Sequence, residues 1–253
     1  MTFSANLGFL WTDRTLPDAI RSAAAAGFDA VECHWPYEVP SAMVRDALDE
    51  TGLPMLGLNT ARGDVAAGEN GLAALVGREA EAQRGIDQAL RYTREIGAQA
   101  VHVMAGYAEG QAADRTFTEN LERACVKAAR DATTILIEPL NRHDAPGYFL
   151  KTTDQAIDLI DRIDAPNLKL MFDCYHVGRT EGDVTTRLKT LRPYIGHVQI
   201  AGVPDRGPPD RGELDYCAVM QTLRTLGWDR PVGAEYKPDG PTEATLAWLE
   251  KLR

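Results

Sequence analysis

A chain of 253 residues with 44% hydrophobic and 25% charged content can build one large soluble domain or two small ones. Its formal net charge of −10 argues against nucleic acid as the main partner, because phosphate binding needs clustered Lys and Arg. No segment reaches the roughly 18 uninterrupted apolar residues of a membrane helix, so no membrane partner is expected.

The opening stretch MTFSANLGFLWTDR lacks a basic region followed by an apolar run, and no signal peptide is expected. Short apolar runs then alternate with amphipathic ones. The strand candidates are NLGFL (6–10), AVECHW (30–35), PMLGLN (54–59), AVHVM (100–104), TILIEPLN (134–141), LKLMFD (168–173), IGHVQIAG (195–202) and PVGAEY (231–236). Helical patterns such as DAIRSAAAAG, REAEAQRGIDQALRYTREIG, TDQAIDLIDRI and YCAVMQTLRTLG lie between them. Eight strands, each followed by a helix, predict a single α/β domain over 1–253, a (β/α)8 TIM barrel. A doubly wound sheet is the alternative, but it more often uses five or six strands, and no GxGxxG follows the first strand here.

Helix-to-strand connections are short: AAGFDA, ETGLPM, EIGAQA and TLGWDR place Gly where a helix C-cap is expected. Strand-to-helix connections at 60–77, 105–116 and 203–214 are longer, as at the C-terminal mouth where barrel enzymes keep their chemistry. The Gly-rich 63–71 loop could act as a lid or be a tolerated insertion. The four cysteines, Cys33, Cys125, Cys174 and Cys217, form no CxxC pair. They read as reduced thiols of a cytoplasmic protein rather than a disulfide framework or zinc site.

Four consecutive strand candidates end on oxygen-bearing side chains. Glu138, Asp173, Gln199 and Glu235 are separated by 35, 26 and 36 residues, about one βα unit each. In HVQIAG (197–202) the period of two puts His197 and Gln199 on one face. A barrel would aim three carboxylates and a carboxamide at one point, where mutual repulsion would raise at least one pKa. A divalent cation relieves that repulsion, and oxygen-only ligands suit Mg2+ or Mn2+. A hydrogen-bonded structural network and chance placement are the alternatives. His176, three residues past Asp173, could bond a substrate oxygen, or be a surface loop histidine. Arg206, in the loop after Gln199, could hold a carboxylate in bidentate fashion. Arg211 shares its local context and lies farther from the strand.

IEPLNRHDAPGYFL (137–150), MFDCYHVG with the following EGD (171–183), HVQIAG and GAEYKP (233–238) resemble the hydroxypyruvate isomerase family. That family belongs to the xylose-isomerase-like barrels, with the tagatose and psicose 3-epimerases. AAAAGFDAVE (23–32) and the 63–79 loop are similar too, so the likeness covers nearly the whole chain. It implies that Glu138, Asp173, Gln199 and Glu235 form the metal site, that Glu138 and Glu235 also transfer protons, and that His176 and Arg206 hold substrate oxygens. Gln199 stands where the epimerases usually have a histidine and marks the hydroxypyruvate isomerase branch, leaving His197 as a hydrogen-bonded core residue. Gly178 and Arg142-His143 depart from the family pattern near the expected far end of the substrate.

The resemblance implies aldose–ketose isomerisation of a small 2-oxo or 2-hydroxy acid, with hydroxypyruvate and tartronate semialdehyde as the expected pair. A 2-oxo-tetronate isomerase, a ketose 3-epimerase and an inosose-type dehydratase are the alternatives. Five scattered histidines and the acidic charge argue against an endonuclease IV-type hydrolase. A barrel that binds a sugar acid without turning it over is the non-enzyme alternative. Barrels of this kind often associate, so a homo-oligomer is an open expectation.

Overall fold

Alternation along each strand decides what the barrel wall shows to its helices and to its axis. In the first strand, FSAN, Phe3 and Ala5 join the apolar shell, while Asn6 turns inward and bonds Glu235 at the end of the adjacent strand. The computed structural model describes residues 1–253. Its strands are β1 (Phe3–Asn6), β2 (Ala30–Glu32), β3 (Gly57–Asn59), β4 (Ala100–His102), β5 (Thr134–Ile137), β6 (Leu168–Asp173), β7 (Ile195–Ile200) and β8 (Val232–Ala234). All neighbours pair in parallel, in the order β2-β1-β8-β7-β6-β5-β4-β3. Edge meets edge through a single bridge between Val31 and Met55, supported by a few backbone hydrogen bonds such as Leu56 N–H to Val31 C=O at 2.8 Å. The expected (β/α)8 barrel is therefore present, with its lightest join between β2 and β3.

One strand differs from expectation. NLGFL contributes only Asn6, because β1 lies earlier, at FSAN. The Asn6 side chain accepts the Gly8 N–H at 2.9 Å and its carbonyl accepts from Leu10, so the chain turns out of the wall. Leu10 and Trp11 fill the core from that turn, which explains why the segment is apolar without being a strand.

The helices are α1 (Leu16–Ala25), α2 (Ser41–Thr51), α3 (Glu79–Ile96), α4 (Gly110–Ala128), α5 (Thr153–Ile163), α6 (Cys174–Thr180), α7 (Val184–Leu191), α8 (Tyr216–Thr225) and α9 (Trp248–Leu252). Thr15, Thr152 and Asp215 cap α1, α5 and α8 by accepting backbone N–H groups. Gly52 and Gly97 end α2 and α3 in the left-handed region, as ETGLPM and EIGAQA predict. The main apolar cluster of 67 residues lies between wall and helices, whereas Ala100, Leu136 and Met171 form a separate small cluster inside the barrel. No helix is long and apolar enough to cross a membrane.

Candidate active site

The four strand ends converge. Asp173 closes β6 and Gln199 lies beside it in register on β7. Glu138 and Glu235 lie one residue past β5 and β8. All four are buried, at 6%, 1%, 2% and 5% exposure for Glu138, Asp173, Gln199 and Glu235. His176 sits on the first turn of α6, so its ring folds back over the carboxylates. Its Nε2 lies 3.6 Å from Asp173 Oδ2 and 3.9 Å from Glu138 Oε1. Donor atoms of Glu138, Asp173 and His176 all fall within 4.8 Å of one another, a group that could hold a metal ion.

The donor set fits a hard cation. Glu138 Oε1, Asp173 Oδ2 and Gln199 Oε1 are buried oxygens with no hydrogen-bond partner, which native interiors rarely tolerate without an ion or water. Gln199 turns its Nε2 toward Glu32 at 3.4 Å, leaving its oxygen free. His176 is different. Its Nδ1 accepts the Asn141 backbone N–H at 2.9 Å and faces the Asn141 side-chain amide at 2.8 Å. A backbone N–H can only donate, so in neutral His176 the proton sits on Nε2. That nitrogen offers a hydrogen bond to an oxygen and has no free lone pair for a metal.

Glu235 is held from three sides. Asn6 Nδ2 and His34 Nε2 each lie 2.9 Å from its Oε1, and the Arg206 guanidinium pairs with Oε2. Arg206 also lies 3.6 Å from Asp173 Oδ2. Its guanidinium is clamped between Phe9 and Tyr175, 4.7 and 5.1 Å from the ring centroids. Arg206 adopts a left-handed φ of 56°, fixed by Gly202 C=O on its N–H and by Lys237 N–H on its carbonyl. Arg211 pairs with Asp239 at the surface and takes no part.

Electrostatics split the two glutamates. Burial, with Glu235 and Asp173 nearby, pushes the Glu138 carboxyl well above the usual range. Burial raises Asp173 to about 7, against the pull of Arg206. Burial also pushes Glu235 up, but Arg206 and His34 more than offset it and leave the carboxyl at about 2. Burial, then the Arg206 charge, lowers His176 to about 3, so its ring is neutral. Burial lowers His102 to about 4.

Asn6, His34 and His102 belong to this environment without a motif of their own. His102 Nδ1 lies 3.6 Å from Glu138 Oε2. The alternation in AVECHW carried the one available signal, for His34 and for Glu32, which lie two apart as His197 and Gln199 do. His197 is the expected hydrogen-bonded core residue, with Nε2 2.6 Å from Glu32 Oε2. Gly233 makes room for this layer, because a Cβ there would sit 2.3 Å from Glu32 Oε1 and 2.9 Å from His197 Nε2. A side chain at Gly178 would approach Val203, Val184 and Leu214. Arg142 is exposed. The 63–71 loop is stitched at its base, where Arg62 Nε reaches Asn70 at 2.9 Å and Arg78 pairs with Glu69 at 2.7 Å.

The sequence profile of the xylose isomerase-like TIM barrel family matches residues 20–252. The chain is 46% identical to a 2-oxo-tetronate isomerase of Cupriavidus necator, over 98% of this chain and 97% of that protein. It is 36% identical to the hydroxypyruvate isomerase of Escherichia coli, over 100% of both. A solved structure described as an AP endonuclease, family 2, from Brucella melitensis superposes with a TM-score of 0.96 at 38% identity, covering 100% of this chain and 99% of that one.

Proposed function

The chain belongs to the xylose isomerase-like TIM barrel family, and we propose that it is an aldose–ketose isomerase of a small 2-oxo or 2-hydroxy acid. Hydroxypyruvate and tartronate semialdehyde are the pair of first choice. The observation that carries this function is the meeting of two buried glutamates around Asp173 under opposed influences, with burial raising the Glu138 carboxyl and the Arg206 guanidinium lowering that of Glu235. Titratable neighbours pushed apart in this way supply an acid and a base at the same pH.

Glu138, Asp173, Gln199 and Glu235 would hold a divalent cation, Mg2+ or Mn2+, which when bound polarises the substrate carbonyl. The Arg206 fork takes the substrate carboxylate. In doing so it leaves Glu235, whose carboxyl then rises toward a range in which it can accept a proton. Glu235 removes a proton from C3, and the pair of electrons moves into a cis-enediolate. His176 Nε2–H donates to an oxygen on which charge develops. Glu138 delivers a proton to C2. One substrate oxygen gains a proton as the other loses one, so the product is an isomer and no co-reactant is consumed. A cytoplasmic setting fits the four free cysteines.

A four-carbon substrate is the second reading, favoured by the 46% identity to the 2-oxo-tetronate isomerase. The same atoms react, with one more carbon to accommodate. The test is proton NMR in D2O with Mg2+, using hydroxypyruvate and 2-oxo-tetronate side by side, with Glu138→Gln and Glu235→Gln as controls. The expected result is an isomer formed only by the unsubstituted protein. Neither product nor carbon-bound deuterium from either acid overturns the proposal and turns attention to free ketoses and inososes.

A further inference from the structure

Glu32 is the one buried acidic side chain that the proposed reaction does not use. It ends β2, and Gln199 lies on β7, strands separated in the wall by β1 and β8. Gly233 of β8 stands between them, in register with Ser4 on one side and Gln199 on the other. With no side chain there, Glu32 can cross the gap: a Cβ on Gly233 would fall 2.3 Å from Glu32 Oε1 and 2.9 Å from Gln199 Cγ. The carboxylate is divided between two partners. Its Oε2 lies 2.6 Å from His197 Nε2, and its Oε1 accepts from Gln199 Nε2 at 3.4 Å. Gln199 Oε1 is left buried and without a partner.

A carboxamide has a donating end and an accepting end of nearly the same shape, so its surroundings must choose between them. We propose that Glu32 makes that choice for Gln199 and is a positioning residue of the cation site. Turned over, Gln199 would set its oxygen against Glu32 Oε1, acceptor against acceptor. It would then offer a cation an NH2 group, which has donors and no lone pair to give. At 3.4 Å the bond is long, but the choice lies between attraction and repulsion, and a buried site enlarges that difference. His197 holds the other carboxylate oxygen and with it the direction of the carboxylate. Gln199 is thereby made an oxygen ligand by a residue on the far side of two strands. The role rests on the reading of Gln199 as a ligand; the orientation of the amide does not.

The test is a double-mutant cycle read by isothermal titration with Mn2+. Glu32→Met removes both acceptors at similar length, and Mn2+ affinity is expected to fall about 10- to 100-fold, the range for outer partners of metal ligands. Gln199→Ala removes the amide itself. Adding Glu32→Met to Gln199→Ala is then expected to change the affinity by less than about twofold, because no amide is left to orient. An equal loss in both backgrounds overturns the proposal, since a missing charge or a loosened barrel weakens binding with or without the amide. An unchanged affinity in Glu32→Met overturns it as well. Neutron diffraction from crystals of the intact protein decides the matter where a variant fails to fold. The Gln199 Nε2 deuterons are expected on the Glu32 side, and finding the oxygen there overturns the proposal. An intact protein that binds no Mn2+ overturns the cation reading and the role of Glu32 with it, while the neutron map still decides which end of the amide Glu32 holds.

Discussion

His34 and Asn6 hold the same oxygen of Glu235, each at 2.9 Å, and leave only the other oxygen to Arg206. One edge of the carboxylate is therefore fixed to the barrel and the other is exchangeable. His34→Phe keeps the ring contacts with Phe9 and Trp35 and removes the hydrogen bond. Hydrogen bonds to charged groups contribute about 1.5–3 kcal/mol, so kcat is expected to fall roughly tenfold or more with little change in KM. Since His34 lowers the Glu235 carboxyl, the acid limb of the kcat profile should move to higher pH in the variant. A pH–rate series on both proteins checks this; an unmoved limb would show that His34 only packs.

His176→Gln keeps an N–H donor near the position of Nε2. Mn2+ affinity, read by isothermal titration, is expected to stay unchanged while KM for the acid rises. If His176 were a ligand, Mn2+ affinity would drop sharply in the same titration.

Asp173 gives a pH test of the donor set. Its folded carboxyl is raised from 3.8 to about 7, so the native protein keeps a proton that the unfolded chain has already released. This group's contribution to stability is present at low pH, is lost as pH rises through that window, and is flat above it. Asp173→Asn retains the cap on α6 and has no such slope. In metal-free buffer its urea midpoint should gain on the unsubstituted protein from about pH 4 to about pH 7. Added Mg2+ or Mn2+ should stabilise only the unsubstituted protein. Parallel pH curves would refute the raised carboxyl.

Arg206→Lys keeps the charge and loses the planar fork between Phe9 and Tyr175. KM for a carboxylate substrate is expected to rise about tenfold or more, as for loss of a charge-assisted hydrogen bond of ~1.5–3 kcal/mol. Activity on an analogue lacking the carboxylate should fall far less. Equal losses on both would remove Arg206 from substrate recognition.

The barrel and one half of the site were legible in the sequence, for a physical reason. Strand periodicity of two marks a face, and Glu138, Asp173, Gln199 and Glu235 announce themselves as polar ends of apolar strands. Periodicity does not say which polar residues of other strands meet them. Asn6 and His34 touch Glu235 from positions 229 and 201 residues away, contacts that only barrel closure creates. The first strand was displaced for a related reason: Ser4 and Asn6 face a polar lumen, so FSAN lacks the apolar signature and the neighbouring NLGFL shows it instead. The role of His176 depends on a tautomer, which follows from the Asn141 N–H and from nothing in the motif FDCYH.

The join between β2 and β3 lies diametrically opposite β6 and β7, the two six-residue strands that carry Asp173 and Gln199. A cylinder with one weak seam unrolls along it. Transient opening there would let amides of Val31, Leu56 and Asn59 exchange first while β5 to β8 stay zipped. The protein can breathe on one side without scattering the four side chains gathered on the other.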